Sequence, residues 1–192
     1  MKTKEFELIG KQLVVHLEGF VSRRNLLIMT PMRHMLRAVC FDRSIDPRSF
    51  YLEAFFLPLY VPREYITFTL GERLRRKGRQ SWDADAPGLI EDMLKAFTQE
   101  AIPFLGGNVD DDKINRMVLK IARGSRNPHC QEAAAYTFVR MERMPEAIKT
   151  IDRLLKSLNN SVAWERDIGE RVSLVKADLA QGLDVAMERL NG

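Results

Sequence analysis

The spacing of hydrophobic positions changes along the chain. Phe6, Ile9, Leu13, Leu17 and Phe20 lie 3, 4, 4 and 3 residues apart, the period of one helical face, and Gly19 supplies a stop. Val14 and Val15 allow a strand, but the longer pattern outweighs them. The period then falls to two. Asn25–Thr30 is an apolar run closed by Pro31, and Met35–Arg43 alternates Leu36, Ala38 and Cys40 with Arg37, Val39 and Phe41. Phe50–Leu57 places Phe50, Leu52, Ala54 and Phe56 on one face, and Tyr65–Leu70 has the cleanest alternation of all. Four strands are predicted, and turns at Asp46-Pro47 and Pro62-Arg63 favour an antiparallel meander.

Beyond Gln80 the pattern is helical. One stripe runs through Leu89, Ile90, Met93, Leu94, Phe97, Ala101 and Phe104 to Gly106-Gly107. A second holds Ile114, Met117, Val118 and Ile121, behind an Asp110-Asp111-Asp112 start that suits the helix dipole. Helices are also predicted from Asn127-Pro128 and from Met144-Pro145, and a last one is capped by Ser161. Its stripe starts at Trp164, an apolar anchor, and packs on Ile148, Ile151, Leu155 and Leu158; Gly169 and Gly182 weaken it.

The expected fold is therefore α+β. An N-terminal helix lies on a roughly four-stranded antiparallel sheet in residues 1–80, with all the β-structure before residue 75. An all-helical bundle occupies residues 81–192, as a second domain or continuous with the first. The change of period places the boundary at Lys77–Trp82.

Composition adds compartment and charge. The 192 residues are 45% hydrophobic and 29% charged, ordinary values for a folded globular chain. Two cysteines, Cys40 and Cys130, build no disulfide framework, and nine methionines fit a reducing compartment, so the cytoplasm is expected. The start Met1-Lys2-Thr3-Lys4-Glu5 lacks an apolar segment behind its charge, and no window approaches the ~20 apolar residues of a membrane span. The net charge of +4 is unevenly spread. Residues 1–80 carry 15 Lys+Arg against 8 Asp+Glu, a net of +7, and residues 81–192 carry 15 against 18, a net of −3.

Catalytic chemistry finds little support in this pattern. His16, His34, His129, Cys40 and Cys130 show no metal-ligand spacing. Cys40, His34 and Asp42 nominally supply a nucleophile, a base and an orienting acid, but Cys40 shares the strand face of Leu36 and Ala38, where a core thiol is the default. Gly71–Gly78 lacks the glycine and lysine spacing of a phosphate loop. No cofactor and no metal is expected, and the chain reads as non-enzymatic.

The basic run is the strongest remaining signal. Arg73, Arg75, Arg76, Lys77 and Arg79 are five cations in seven positions, and Arg23 and Arg24 add to them. Arginine forks suit carboxylates and phosphates. The expected work is binding an acidic protein partner at these residues. The alternative is nucleic acid, RNA or single-stranded, bound through the basic N-terminal half with Tyr51, Tyr60 or Tyr65 stacking on bases. No membrane partner is expected, and the chain acts as a monomer or homodimer.

Two resemblances bear on this. The helix, Gly19-Phe20, Arg23-Arg24, and a meander with Phe50-Tyr51-Leu52 and Pro58-Leu59-Tyr60-Val61-Pro62 resemble small bacterial domains of unknown function of the toxin-immunity type, over about residues 1–75. This resemblance implies neutralisation of a partner and transfers no site residues. Ala133-Ala134-Ala135-Tyr136 followed by Met144-Pro145-Glu146-Ala147-Ile148 resembles one tetratricopeptide hairpin, over residues 128–158. A single unit implies a hairpin within a bundle rather than a solenoid.

Overall fold

A computed structural model describes residues 3–63, 65–107 and 109–191. The chain is α+β and packs as two compact units, one of residues 1–57 and 66–109 and one of residues 58–65 and 110–192. Among the described residues no helix is long and apolar enough to cross a membrane.

The first unit is built on a six-stranded antiparallel sheet. Helix α1 (Thr3–Val14) precedes strands β1 (Phe20–Arg23), β2 (Leu26–Met29), β3 (Met35–Arg43), β4 (Ser49–Pro58), β5 (Gly71–Arg73) and β6 (Ser81–Asp83). The spatial order is β1-β2-β3-β4-β5, and β6 also pairs with β4. Strands β5 and β6 share β4: Glu53 faces Arg73 in one ladder, and Phe50 faces Trp82 in the other.

Alternation sorts the β3 and β4 side chains onto two faces. On one, Phe6 of α1 stacks on Phe41 at 5.4 Å, Phe41 meets Phe50 at 6.0 Å, and Phe50 lies on Trp82 at 6.5 Å. Helix α2 (Leu89–Ala96), a π-helical turn (Phe97–Ala101) and helix α3 (Ile102–Leu105) join this unit, with Phe97 against Phe20 and Phe104 against Phe56. Gly106, at φ 83°, ends the run as the glycine pattern predicts. The other face gathers Leu36, Ala38, Cys40, Phe55 and Leu57, with Phe68 packed against them.

Several sequence expectations are corrected here. Tyr65–Leu70 is not a strand, although its alternation was the cleanest. Phe68 packs on Phe55 and Leu70 is buried, so the alternating apolar residues serve packing without a ladder. The partner edge of β4 is entered at Gly71 instead. A Cβ there would lie 2.7 Å from the Ala54 carbonyl oxygen, a spacing that only glycine permits. The first helix stops at Val14, and Phe20, the last member of its stripe, opens β1. Strand β6 lies beyond residue 75, where no β-structure was expected; Trp82 is fully buried and donates from Nε1 to the Leu74 carbonyl at 3.3 Å. Three residues are too few for alternation to register.

The second unit is helical apart from the segment Pro58–Tyr65. Its helices are α4 (Asp111–Ala122), α5 (Pro128–Arg140), α6 (Met144–Ser157), α7 (Ala163–Gln181) and α8 (Leu183–Asn191). Asp110 caps α4 by accepting from the Lys113 amide at 2.6 Å, and Asn127 caps α5 by accepting from the His129 amide at 2.9 Å. Small Ala133, Ala135 and Ala147 are wholly buried where α5 and α6 pack closely. Ile168, Val172 and Val175 of α7 are buried too, whereas Trp164 is 41% exposed and is not the anchor its position suggested. Ser161 is not the α7 cap: Val162 holds that position without a side-chain bond, and Ser161 donates to Asn159 instead. The terminal stripe divides at Gly182 (φ 154°), while Gly169 stays helical.

Candidate functional site

The basic run forms a hairpin between β5 and β6. Arg76 and Arg79 exchange backbone hydrogen bonds of 2.7 and 2.9 Å across a two-residue turn. Both turn residues, Lys77 (φ 47°) and Gly78 (φ 81°), have the positive φ that tight hairpins demand. Arg75, Lys77 and Arg79 stay exposed at the neck and tip.

The remaining cations of this run are already paired. Arg73 donates to Glu53, whose side chain is 8% exposed, and its guanidinium lies 4.2 Å from the centre of the Tyr51 ring. The hydrogen bond to Glu53 holds the Arg73 guanidinium firmly charged, its pKa raised above the ordinary value. Arg76 donates from Nε to Asp92 at 2.7 Å and from Nη2 to the Pro87 carbonyl at 3.2 Å. The bond from Arg76 in turn holds the Asp92 carboxyl below its usual range. The Arg75 amide donates to Glu100 at 3.1 Å, and burial raises the Glu72 carboxyl, aided by repulsion from Glu100. Four carboxylates therefore accompany the five cations. Arg23 and Arg24 lie at the separate β1–β2 turn, where Arg24 takes a positive φ of 53°.

Cysteine chemistry has no reactive thiolate at Cys40. Its thiol is buried and receives the Asn25 side-chain amide at 3.3 Å. Burial, with smaller repulsion from Asp42 and Glu53, pushes its pKa up to about 12. Among the described residues no three His, Cys, Asp or Glu side chains are grouped to hold a metal ion.

A second cationic feature lies on α4, α5 and α6. A groove of about 460 Å³ has Leu119, Ala122, Ala134 and Phe138 in its lining. Around these stand Arg116, Lys120, Arg123, Arg143, Lys149 and Arg153, six cations against the single carboxylate of Glu146. All six are exposed. Gln131 secures one end, donating from Nε2 to the carbonyls of Ala122 at 3.2 Å and Ser125 at 2.6 Å. The one aromatic ring in the lining, Phe138, has the Arg143 guanidinium 5.0 Å from its centre, and Arg143 also pairs with Glu146.

No family model matches the chain, and neither do the curated proteins or the solved structures.

Sequence reasoning missed this groove for a definable reason. Arg116 and Lys120 fall at i and i+4 on α4, with Arg123 just past its C-terminal end, and Lys149 and Arg153 fall at i and i+4 on α6. Each i, i+4 pair lies on one helical face. A search for consecutive charges passes over them, and residues 81–192 are net acidic as a whole.

Proposed function

We propose that this protein is a non-enzymatic interaction module that holds an acidic, apolar-bearing segment of a protein partner in the α4–α6 groove. One observation carries the reading: six exposed cations and one carboxylate surround an apolar floor. An amphipathic peptide lays its apolar side chains on such a floor while its carboxylates meet the rim. The charge arrangement supplies orientation and rate of encounter, and the floor supplies burial.

Nucleic acid is less well served by the same groove. Its one aromatic ring already carries a guanidinium, which takes away a stacking surface for bases. The 73–79 hairpin is a weaker polyanion site than its sequence suggests, because Arg73 and Arg76 are neutralised within the fold. A toxin-immunity role, in which the partner is held inactive, is the form of this function suggested by the resemblance of residues 1–75. Two buried thiols that form no disulfide fit a reducing compartment.

The test uses three probes on the full chain: an amphipathic Glu/Leu peptide of about 18 residues, a Glu/Ser peptide of equal charge, and a single-stranded oligonucleotide of equal charge. The Glu/Leu peptide should bind at least about tenfold more tightly than either of the others at 150 mM salt, because it alone gains from both rim and floor. Preference for the oligonucleotide would favour the nucleic-acid alternative and overturn this reading.

A further inference from the structure

A second concavity in the helical unit has a different chemistry. Arg63, Tyr65, His129, Trp164, Asp167 and Arg171 border a cleft of about 670 Å³. Trp164, Asp167 and Arg171 are spaced i, i+3 and i+7 on α7, which places them on one face.

The charges of this cleft are balanced. Glu132 of α5 is fully buried, and Arg171 donates to its Oε1 from Nε at 2.9 Å and from Nη2 at 2.8 Å. Arg63 donates from Nη2 to the His129 carbonyl at 3.1 Å and lies 3.6 Å from Oε2 of Glu132. Among the described residues, two guanidiniums thus meet two carboxylates, Glu132 inside and Asp167 on the rim. Such a cleft offers a free ion little net attraction. The ligand it suits is uncharged and held by shape and hydrogen bonds.

The aromatic residues indicate a flat ring. The Trp164 indole stacks on His129, with centroids 5.1 Å apart and planes 20° from parallel, and it remains 41% exposed. The imidazole steadies one indole face and leaves the other to a third ring. Tyr65 is 59% exposed on the border of the same cleft. The polar groups then select among flat rings. Asp167 is exposed and has no hydrogen-bond or ion-pair partner among the described residues, and Arg171 keeps Nη1 after Glu132 takes Nε and Nη2. A carboxylate only accepts and a guanidinium only donates. The complementary ring edge therefore carries two adjacent N–H donors for Asp167 beside an acceptor for Arg171. Of the common nucleobases guanine alone has that edge, with its ring N–H and 2-amino group beside the 6-oxo oxygen. We propose that this cleft binds a guanine base, stacked on Trp164, with Asp167 accepting from its two donors and Arg171 donating to its oxygen.

Guanosine is the probe, titrated against the full chain by calorimetry and by tryptophan emission. Trp82 is fully buried, so an emission change that disappears in Trp164→Leu reports the cleft. Guanosine should bind saturably at one site, at least about tenfold more tightly than adenosine, which offers Asp167 no adjacent pair of donors. Inosine, which lacks the 2-amino group, should fall between them. Asp167→Asn should abolish most of the preference for guanosine over inosine, a change of selectivity that a purely structural role would not produce. Trp164→Leu should weaken guanosine and adenosine alike, by about three- to tenfold. Both side chains are exposed, so neither substitution empties the core. Guanosine 5′-monophosphate should bind within about threefold of guanosine, because the balanced cleft adds nothing for a phosphate. An oligouridylate carrying one guanine separates the two sources of this base: affinity at least about tenfold above guanosine assigns the site to single-stranded RNA, and equal or lower affinity to the free nucleoside. Absence of saturable binding up to about 1 mM guanosine, equal binding of adenosine, or unchanged selectivity in Asp167→Asn overturns the proposal.

Discussion

The 73–79 hairpin and the α4–α6 groove carry almost the same number of cations and differ in what accompanies them. In the hairpin five cations fall within seven positions of sequence, Glu72 adjoins them, and the fold brings Glu53, Asp92 and Glu100 to them. In the groove six cations are scattered over about forty positions of sequence, and the lining offers them one carboxylate. Density of charge along a chain is therefore a poor guide to surplus charge on a surface. The countercharges decide, and most of them come from elsewhere in the sequence.

Stability measurements sharpen this contrast. The largest effect is expected at the interior group of the helical unit. Glu132→Ala leaves Arg63 and Arg171 without their buried carboxylate and should cost about 3–5 kcal/mol, read as a shift of the urea midpoint. Glu53→Ala in the first unit removes a comparable partner from Arg73, which is 39% exposed and can be rehydrated. Its cost should be about 1–2 kcal/mol. Equal costs at the two sites would break the distinction between buried and rehydratable cations.

Smaller effects follow from local geometry. Asp110→Ala removes the α4 cap and should cost about 1 kcal/mol, checked by the same denaturation. The Arg76–Asp92 pair has a definite pH signature. Asp92 is held low in the folded state, so its contribution is complete above the ordinary aspartate value of about 3.9 and is lost as pH falls through the depressed one. The Arg76 Nε–H resonance should accordingly stay unchanged from pH 8 to 5 and shift only in more acidic solution. At Cys40, alkylation at pH 8 should be slow in the native protein and should reach two thiols per chain after denaturation. Rapid native labelling of Cys40 would restore the case for a reactive thiol.

The elements with long, regular patterns were legible in the sequence. Strand β3, with its alternation of Leu36, Ala38 and Cys40, was read at its observed limits, and helices α4, α5 and α6 begin where the Asp110 and Asn127 caps and the Met144-Pro145 pair mark them. Short or context-dependent elements were not. Strands β5 and β6 have three residues each, too few for a period, and exist because β4 offers them an edge. Tyr65–Leu70 shows the reverse, a strand-like pattern whose Phe68 packs on Phe55 without a ladder. The groove needed three helices assembled before its cations met, and the Glu132 cluster needed Arg63, 69 residues away in sequence, brought to α5.

The central claim is that the groove, rather than the basic run of residues 73–79, receives an acidic partner. Calorimetry with the Glu/Leu peptide tests it on two matched variants. One reverses the groove rim (Arg116→Glu, Lys120→Glu, Arg123→Glu), and the other reverses the hairpin (Arg75→Glu, Lys77→Glu, Arg79→Glu). Each changes the net charge equally, so long-range attraction is altered alike in both. The groove variant should lose at least about tenfold in affinity, with the hairpin variant within about twofold of wild type. A tenfold loss confined to the hairpin variant would contradict the account and return the site to residues 73–79.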